Sequence, residues 1–370
     1  MTKKDFNLPP LSPLIGATLL NYIRVTRGKE IESKYLFKYI LTGAIITALT
    51  PLRWLDHLHY QRIKSKPIAS PIFILGHWRS GTTFLHNVLC QADHAGFVTT
   101  YQTVFSHFMK SKALLKPFMQ WVMPEKRPGD NVLLHPWYPQ EEEFALSNMT
   151  DLSYYHYFYF PAQYRSYFDR TIAMDLSEKE HSKLTQRYLK LLRIALDQQP
   201  NASHLVLKNP VNTGRVKWIN QTFPNARYIH IYRNPFAVFL STKKFFTELM
   251  PTLWLKSISE EQIETLILEN YIRLYDCYYS HEPPKERLFK LRFEDFESDP
   301  LLHIERMYSF FNLPDFNRQK ARFKRYLETK KTYRKNTHVL THREYALIQE
   351  KWGKYLNKWE YTLPDNIKLV

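Results

Sequence analysis

Between Pro71 and Leu89 the chain reads PIFILGHWRSGTTFLHNVL, and this stretch limits the possible folds more than any other. Pro71 to Leu75 is an unbroken apolar run headed by proline, the pattern of a short strand buried on both faces of a parallel sheet. Gly76 and Gly81 then bracket a loop with the small hydroxyl residues Ser80, Thr82 and Thr83, after which Phe84, Leu85, Val88 and Leu89 return at helical spacing. The first N–H groups of a helix lack carbonyl partners and carry the positive end of its dipole, so an anion fits this junction. The spacing is that of the nucleotide loop GxxxxGK[ST], with Thr82 at the lysine position and the charge moved to Arg79 and His77. Without the lysine that reaches the β- and γ-phosphates, ordinary ATP or GTP hydrolysis is disfavoured, while a phosphate-like ligand is still expected. A ligand-free turn capped by threonines is the alternative.

The chain has 370 residues, enough for one large α/β domain with appendages or two small domains. Only 9 glycines argue against flexible linkers. A formal net charge of +17 favours anionic ligands, anionic membrane surfaces or nucleic acid. The basic residues are scattered, with no concentrated arm and no RNP-type aromatic motif, so nucleic acid is not the expected partner. Cys90 and Cys277 are too few for a disulfide framework and fit a reducing compartment.

No apolar core with a small-residue cleavage site follows the first lysines, so no secretory signal is read there. The apolar patch Tyr39 to Leu52 is shorter than the ~20 residues of a membrane-spanning helix. With Trp54, Tyr60, Arg53, Arg62, Lys64 and Lys66 beside it, it suits an interfacial helix on an anionic surface; a helix packed on the catalytic domain is the alternative. The expected layout is a helical N-terminal segment over 1–66, a catalytic domain over 67–330 and a basic loop and helix over 331–370. The expected location is cytoplasmic, with a peripheral hold on the inner face of the membrane.

Further along, Glu141, Glu142 and Glu143 open a helix. Carboxylates in a first turn complement the dipole, and a glutamate in a basic, partly closed site can also act as general base. Asp151 to Phe168 is crowded with aromatics, readable as a ligand pocket or as core. Ser177 caps a helix running to Leu196. The strand HLVL ends in Lys208-Asn209-Pro210, ARYIHIY ends in Arg233-Asn234-Pro235 with Ser241 in the next helix, and LFKLRF is a fourth strand. Ligands of open α/β sheets collect beyond the carboxyl ends of the strands, which brings Lys208 toward the Gly76 loop.

In its motifs the chain resembles the sulfotransferases that use 3′-phosphoadenosine-5′-phosphosulfate (PAPS), in their bacterial form with an RSGTT loop. GHWRSGTTFL is similar to their 5′-phosphosulfate loop, and RNPFAVFLS to their 3′-phosphate segment. PQEEEFAL resembles a PQEDEFAL-like segment, with Glu142 in place of aspartate. LVLKNPVNTGRV resembles LLKSPxHxxR with Asn212 where histidine is usual, and LRFEDFESDP resembles RYEDL..DP. The resemblance implies an α/β, P-loop-like, mostly parallel sheet of four to five strands wrapped by helices. It implies PAPS as donor, its bisphosphate PAP as product, and no metal. His77, Trp78, Arg79, Ser80, Gly81, Thr82 and Thr83 would hold the 5′-phosphosulfate, and Arg233 and Ser241 the 3′-phosphate, with Arg334 and Lys335 in a late basic loop that closes over it. Glu141, with Glu143 next, is the expected base, and Lys208 and Arg79 would offset charge on the leaving group. The acceptor would be a hydroxyl or amine of a small molecule, carbohydrate or lipid-linked compound. A kinase with a deviant loop and a non-catalytic membrane-binding protein are the other classes.

Overall fold

A computed structural model describes residues 11–68, 70–125, 133–330 and 338–370, so Arg334 and Lys335 lie outside the described residues. The N-terminal segment forms α1 (Leu19–Thr26), α2 (Leu36–Leu49) and α3 (Arg53–Ile63). After β1 (Ile72–Leu75) come α4 (Thr82–Leu89), the short β2 (Ala95–Gly96), α5 (Thr100–Phe105), α6 (Lys112–Val122), α7 (Glu142–Met149), α8 (Tyr164–Thr171) and α9 (Glu178–Asp197). The chain continues through β3 (His204–Lys208), α10 (Val216–Thr222), β4 (Arg227–Tyr232), α11 (Pro235–Leu253), α12 (Glu260–Ser280) and β5 (Leu288–Arg292). It closes with α13 (Phe293–Ser298), α14 (Pro300–Phe310), α15 (Phe316–Glu328), β6 (His338–Leu340), α16 (His342–Lys358) and β7 (Ile367–Leu369).

The five-stranded sheet has the order β2-β3-β1-β4-β5, and every pair is parallel. β1 is central, with Ile72 opposite Val206 on one side and Arg227 on the other. Successive strand side chains face opposite ways, so Phe73 and Leu75 join the core under α9, α11 and α12. Ile72 and Ile74 join the core with α4, α14 and α15, through Leu85, Val88, Ile304 and Phe323. Burial on both faces is why the strands read as continuous apolar runs. From β1 the chain leaves to one side of the sheet and from β4 to the other. The carboxyl ends of these two neighbours therefore flank a topological switch point, where ligands of such sheets bind.

Three details differ from the sequence reading. Ala95–Gly96 forms an edge strand on β3 where the sequence reading gave no strand. β6 and β7 form a separate parallel pair that three-residue segments do not announce. Short helical turns at Ser33–Tyr35 and Thr50–Leu52 join α2 and α3 into the run Ser33–Ile63, among the described residues the one helical run long and apolar enough to cross a membrane. The expectation that this segment falls short of spanning length is thereby corrected. It is nevertheless tied to the body at both ends: Lys38 Nζ donates to the Thr252 carbonyl at 3.1 Å and His59 meets Asp197 at 2.8 Å.

Candidate active site

The loop between β1 and α4 is shaped by backbone conformations that few residues adopt. Gly81 has φ +87°, and a Cβ there would lie 2.1 Å from the Phe293 ring. Arg79 takes φ +67° despite its side chain, a left-handed conformation that points to an enforced local shape. Thr213, after β3, pins the loop base: its hydroxyl accepts from the Gly76 N–H at 2.7 Å and lies 3.2 Å from the Gly76 carbonyl. No side chain caps the first turn of α4. The Ser80 hydroxyl is buried without a protein partner, a polar atom suited to an anion in the loop.

Arg79 Nε donates to Ser241 Oγ at 2.9 Å, and Arg233 Nη1 donates to the Arg79 carbonyl at 3.2 Å. The Arg233 guanidinium lies over Phe293, 4.4 Å from the ring centroid. Residues from the loop, the end of β4 and α11 therefore converge at the switch point. His77 does not supply the loop charge assigned to it from sequence. Its ring is buried against Tyr271 and Tyr275, and burial pushes its pKa down to about 4, so it is neutral near pH 7. Trp78 is buried too, with Nε1 donating to the Tyr155 hydroxyl at 3.2 Å. Thr82 is buried at the start of α4, and Thr83 is half-buried beside it.

The three consecutive glutamates separate completely. Glu141, at the start of α7, accepts from Lys208 Nζ and from the Tyr155 hydroxyl, and Lys208 Nζ also donates to Thr83 Oγ1 at 3.2 Å. Lys208 is fully buried, so its charge is held at the loop by these partners. Burial and the Glu141 charge hold the Tyr155 phenol well above its usual pKa, which keeps its proton available to Glu141. Glu142 accepts from Tyr188 at 3.0 Å and Asn212 at 2.6 Å. Burial raises its pKa to about 7.

Glu143 is wholly buried in a two-pronged pair with Arg215, at 2.6 and 3.0 Å, and also accepts from Ser153, the Tyr154 N–H and Asn209. Burial opposes its charge, but Arg215 and the other donors prevail and hold its pKa below the usual value. These bonds occupy both its oxygens, so its position is that of a structural clamp between α7 and the segment after β3. Sequence reading named it as second base and gave Arg215 no role. Arg215, next to last in LVLKNPVNTGRV, was the available signal, and Tyr155 was hidden in a run of similar aromatics. Of that run, Tyr154, Tyr155, Tyr157 and Tyr159 all lie in the core, and Tyr155 also bonds to Glu141.

The arrangement sets a carboxylate and a buried ammonium beside an uncapped helix start, with two arginines close by. It can bind a phosphate-like group and accept a proton next to it. Among the described residues no group of three or more His, Cys, Asp or Glu side chains is placed to hold a metal ion.

Comparison with known proteins gives this site its context. Residues 71–318 match the sequence model described as Sulfotransferase family. The omega-hydroxy-beta-dihydromenaquinone-9 sulfotransferase Stf3 of Mycobacterium bovis is 28% identical over 317 residues, which cover 83% of this chain and 80% of that protein. The Mycobacterium tuberculosis protein of the same name matches equally. Among solved structures, sulfotransferase STF9 from Mycobacterium avium has a TM-score of 0.65 at 16% identity, covering 97% of this chain and 99% of that one. Sulfotransferase STF1 from M. tuberculosis H37Rv has a TM-score of 0.62 at 17% identity, covering 82% and 83%. At such identities these structures show likeness of fold.

Proposed function

This chain belongs to the sulfotransferase family, and from that premise we propose that it carries the sulfuryl group of PAPS to a hydroxyl on a membrane lipid. The observation that carries the reading is the contact of Glu141 with Lys208, which itself reaches Thr83 on the first turn of α4. PAPS supplies an activated sulfuryl group. Residues 79–83 fit its 5′ end through the uncapped helix start and the unpartnered Ser80 hydroxyl, and Arg233 with Ser241 fits its 3′-phosphate. Glu141 takes the proton of the acceptor hydroxyl, whose oxygen forms the new bond to sulfur. The electron pair of the broken S–O bond stays with the 5′-phosphate oxygen, where Lys208 and the N–H groups of α4 offset the added charge. Glu143 supports α7 and does not move protons. Arg79, bonded to Ser241, links the two phosphate subsites.

A lipid acceptor is favoured by two observations. The relative Stf3 is named for a hydroxylated menaquinone, and α2 and α3 expose Phe37, Ile40, Trp54, Leu55 and Leu58 on the surface. We place this apolar face in the headgroup region of the inner membrane leaflet, where the basic net charge adds attraction to anionic lipid.

The test is binding of PAP, followed as thermal stabilisation. The wild type should be stabilised, and Arg79→Ala or Arg233→Ala should lose most of that shift. No shift at saturating PAP would refute the reading. Lipid extract incubated with PAPS should gain sulfonate by mass spectrometry.

A further inference from the structure

Away from the sheet, α3, the end of α5 and α9 line a partly open cavity of about 200 Å³, well above the ~10–15 Å³ that one water needs. Three of the residues that line it carry a buried polar atom with no hydrogen-bond partner among the described residues: Arg53 Nε, Ser106 Oγ and His107 Nε2. Ser106 is only 1% exposed, and the protein leaves its hydroxyl unsatisfied. Arg187 and Lys190 of α9 add two cations, and among the described residues neither has a carboxylate within ion-pair distance. Lys190 lies over the Tyr60 ring, 4.7 Å from its centroid.

The two carboxylates on the wall are already committed. Asp56 accepts the Met109 and Lys110 N–H groups, and Asp197 accepts from Lys66 at 2.7 Å and pairs with His59 at 2.8 Å. Asp56 still attracts Lys190, but the neighbouring cations repel one another. Burial and then Arg187 pull the Lys190 pKa down to about 8, and burial followed by Lys190, Arg53 and Arg187 holds His107 well below its usual value. A folded chain bears such a cost where an anion relieves it.

We propose that this cavity binds a phosphate group, held by Arg53, Ser106, His107, Arg187 and Lys190. Donors approaching from three elements suit a tetrahedral oxyanion better than a planar carboxylate, which presents only two oxygens. The same helix that lends Arg53 turns Trp54, Leu55 and Leu58 outward, so a lipid headgroup and a soluble phosphate ester share the required chemistry. The proposal is independent of the sulfuryl-transfer reading, because none of these residues belongs to the Glu141 site.

The experiment compares the full-length wild type with Arg187→Gln/Lys190→Gln, each with its active site saturated by PAP. Titration with inorganic phosphate, followed by calorimetry and thermal shift, should show one added site in the wild type and at least tenfold weaker binding in the variant. Without phosphate the variant should be as stable as the wild type or more so, since a repulsion has been removed. Ser106→Ala, which leaves every charge in place, should weaken phosphate binding by a smaller factor. Sedimentation with phosphatidylcholine vesicles, with and without phosphatidylglycerol, separates the sources. Loss of the phosphatidylglycerol-dependent part in the double variant assigns the site to a lipid headgroup, and its retention alongside lost phosphate binding assigns it to a soluble ester. Equal phosphate binding by wild type and both variants, or none by any of them, would mean a water-filled cavity and overturn the proposal.

Discussion

Glu141 shares its carboxylate between a buried ammonium and a phenol, whereas Glu143 is enclosed by Arg215 and three further donors. The two should respond differently to the same substitution. Glu141→Gln should lower sulfonation by about 10²–10⁴, the expected cost of removing a general base. Glu143→Gln strands the Arg215 charge and should cost about 3–5 kcal/mol of stability, read by urea unfolding. Glu142 offers a pH test. Its carboxyl titrates at about 7 in the fold against 4.5 in a free chain, a rise caused first by burial. The folded state therefore favours the protonated form, so this contribution is complete below pH 4.5 and is lost as pH rises through about 7. Glu142→Gln should flatten the fall in stability between pH 5 and 8, and an unchanged slope would contradict the assignment. None of these distinctions is visible in the string Glu-Glu-Glu, because consecutive residues at a helix start point about 100° apart. What each carboxylate meets depends on elements distant in sequence.

At the scale of elements, the junction of β1 and α4 was legible because its parts are local: an apolar strand, two glycines at fixed spacing and a resumed helical period. The capping box joining Ser177 and Glu180 at the start of α9 was legible for the same reason. β2 was not, since two residues carry no periodicity and pair only because β3 is there. The junction also yields a test. Gly81→Ala forces a left-handed conformation on alanine and drives its Cβ against Phe293, 2.1 Å away. Overpacking of this kind should cost about 1–3 kcal/mol. Since Phe293 also carries Arg233, PAP-induced stabilisation should shrink in the same variant. A Gly81→Ala protein as stable as wild type would show that the loop adapts more freely than its contacts imply.

For the whole molecule, the apolar face of α2 and α3 sets the expectation. Trp54 is 72% exposed and Leu58 60%, and exposed apolar surface of this extent marks an interaction site. Trp54→Glu with Leu58→Glu should abolish sedimentation with phosphatidylglycerol vesicles and reduce sulfonation of lipid extract, with PAP-induced stabilisation unchanged. Full retention of vesicle binding would exclude these helices as the contact. The sequence by itself determined the strand–loop–helix unit, the parallel sheet and the order of the motif segments, because hydrophobic period, glycine spacing and strand-end polarity are encoded within short windows. The tertiary structure alone decided which glutamate meets Lys208, that Arg215 clamps Glu143, that His77 is neutral and that Arg79 reaches Ser241. Those outcomes depend on burial and on charges from separate strands, and only the packed sheet brings such groups within hydrogen-bond distance.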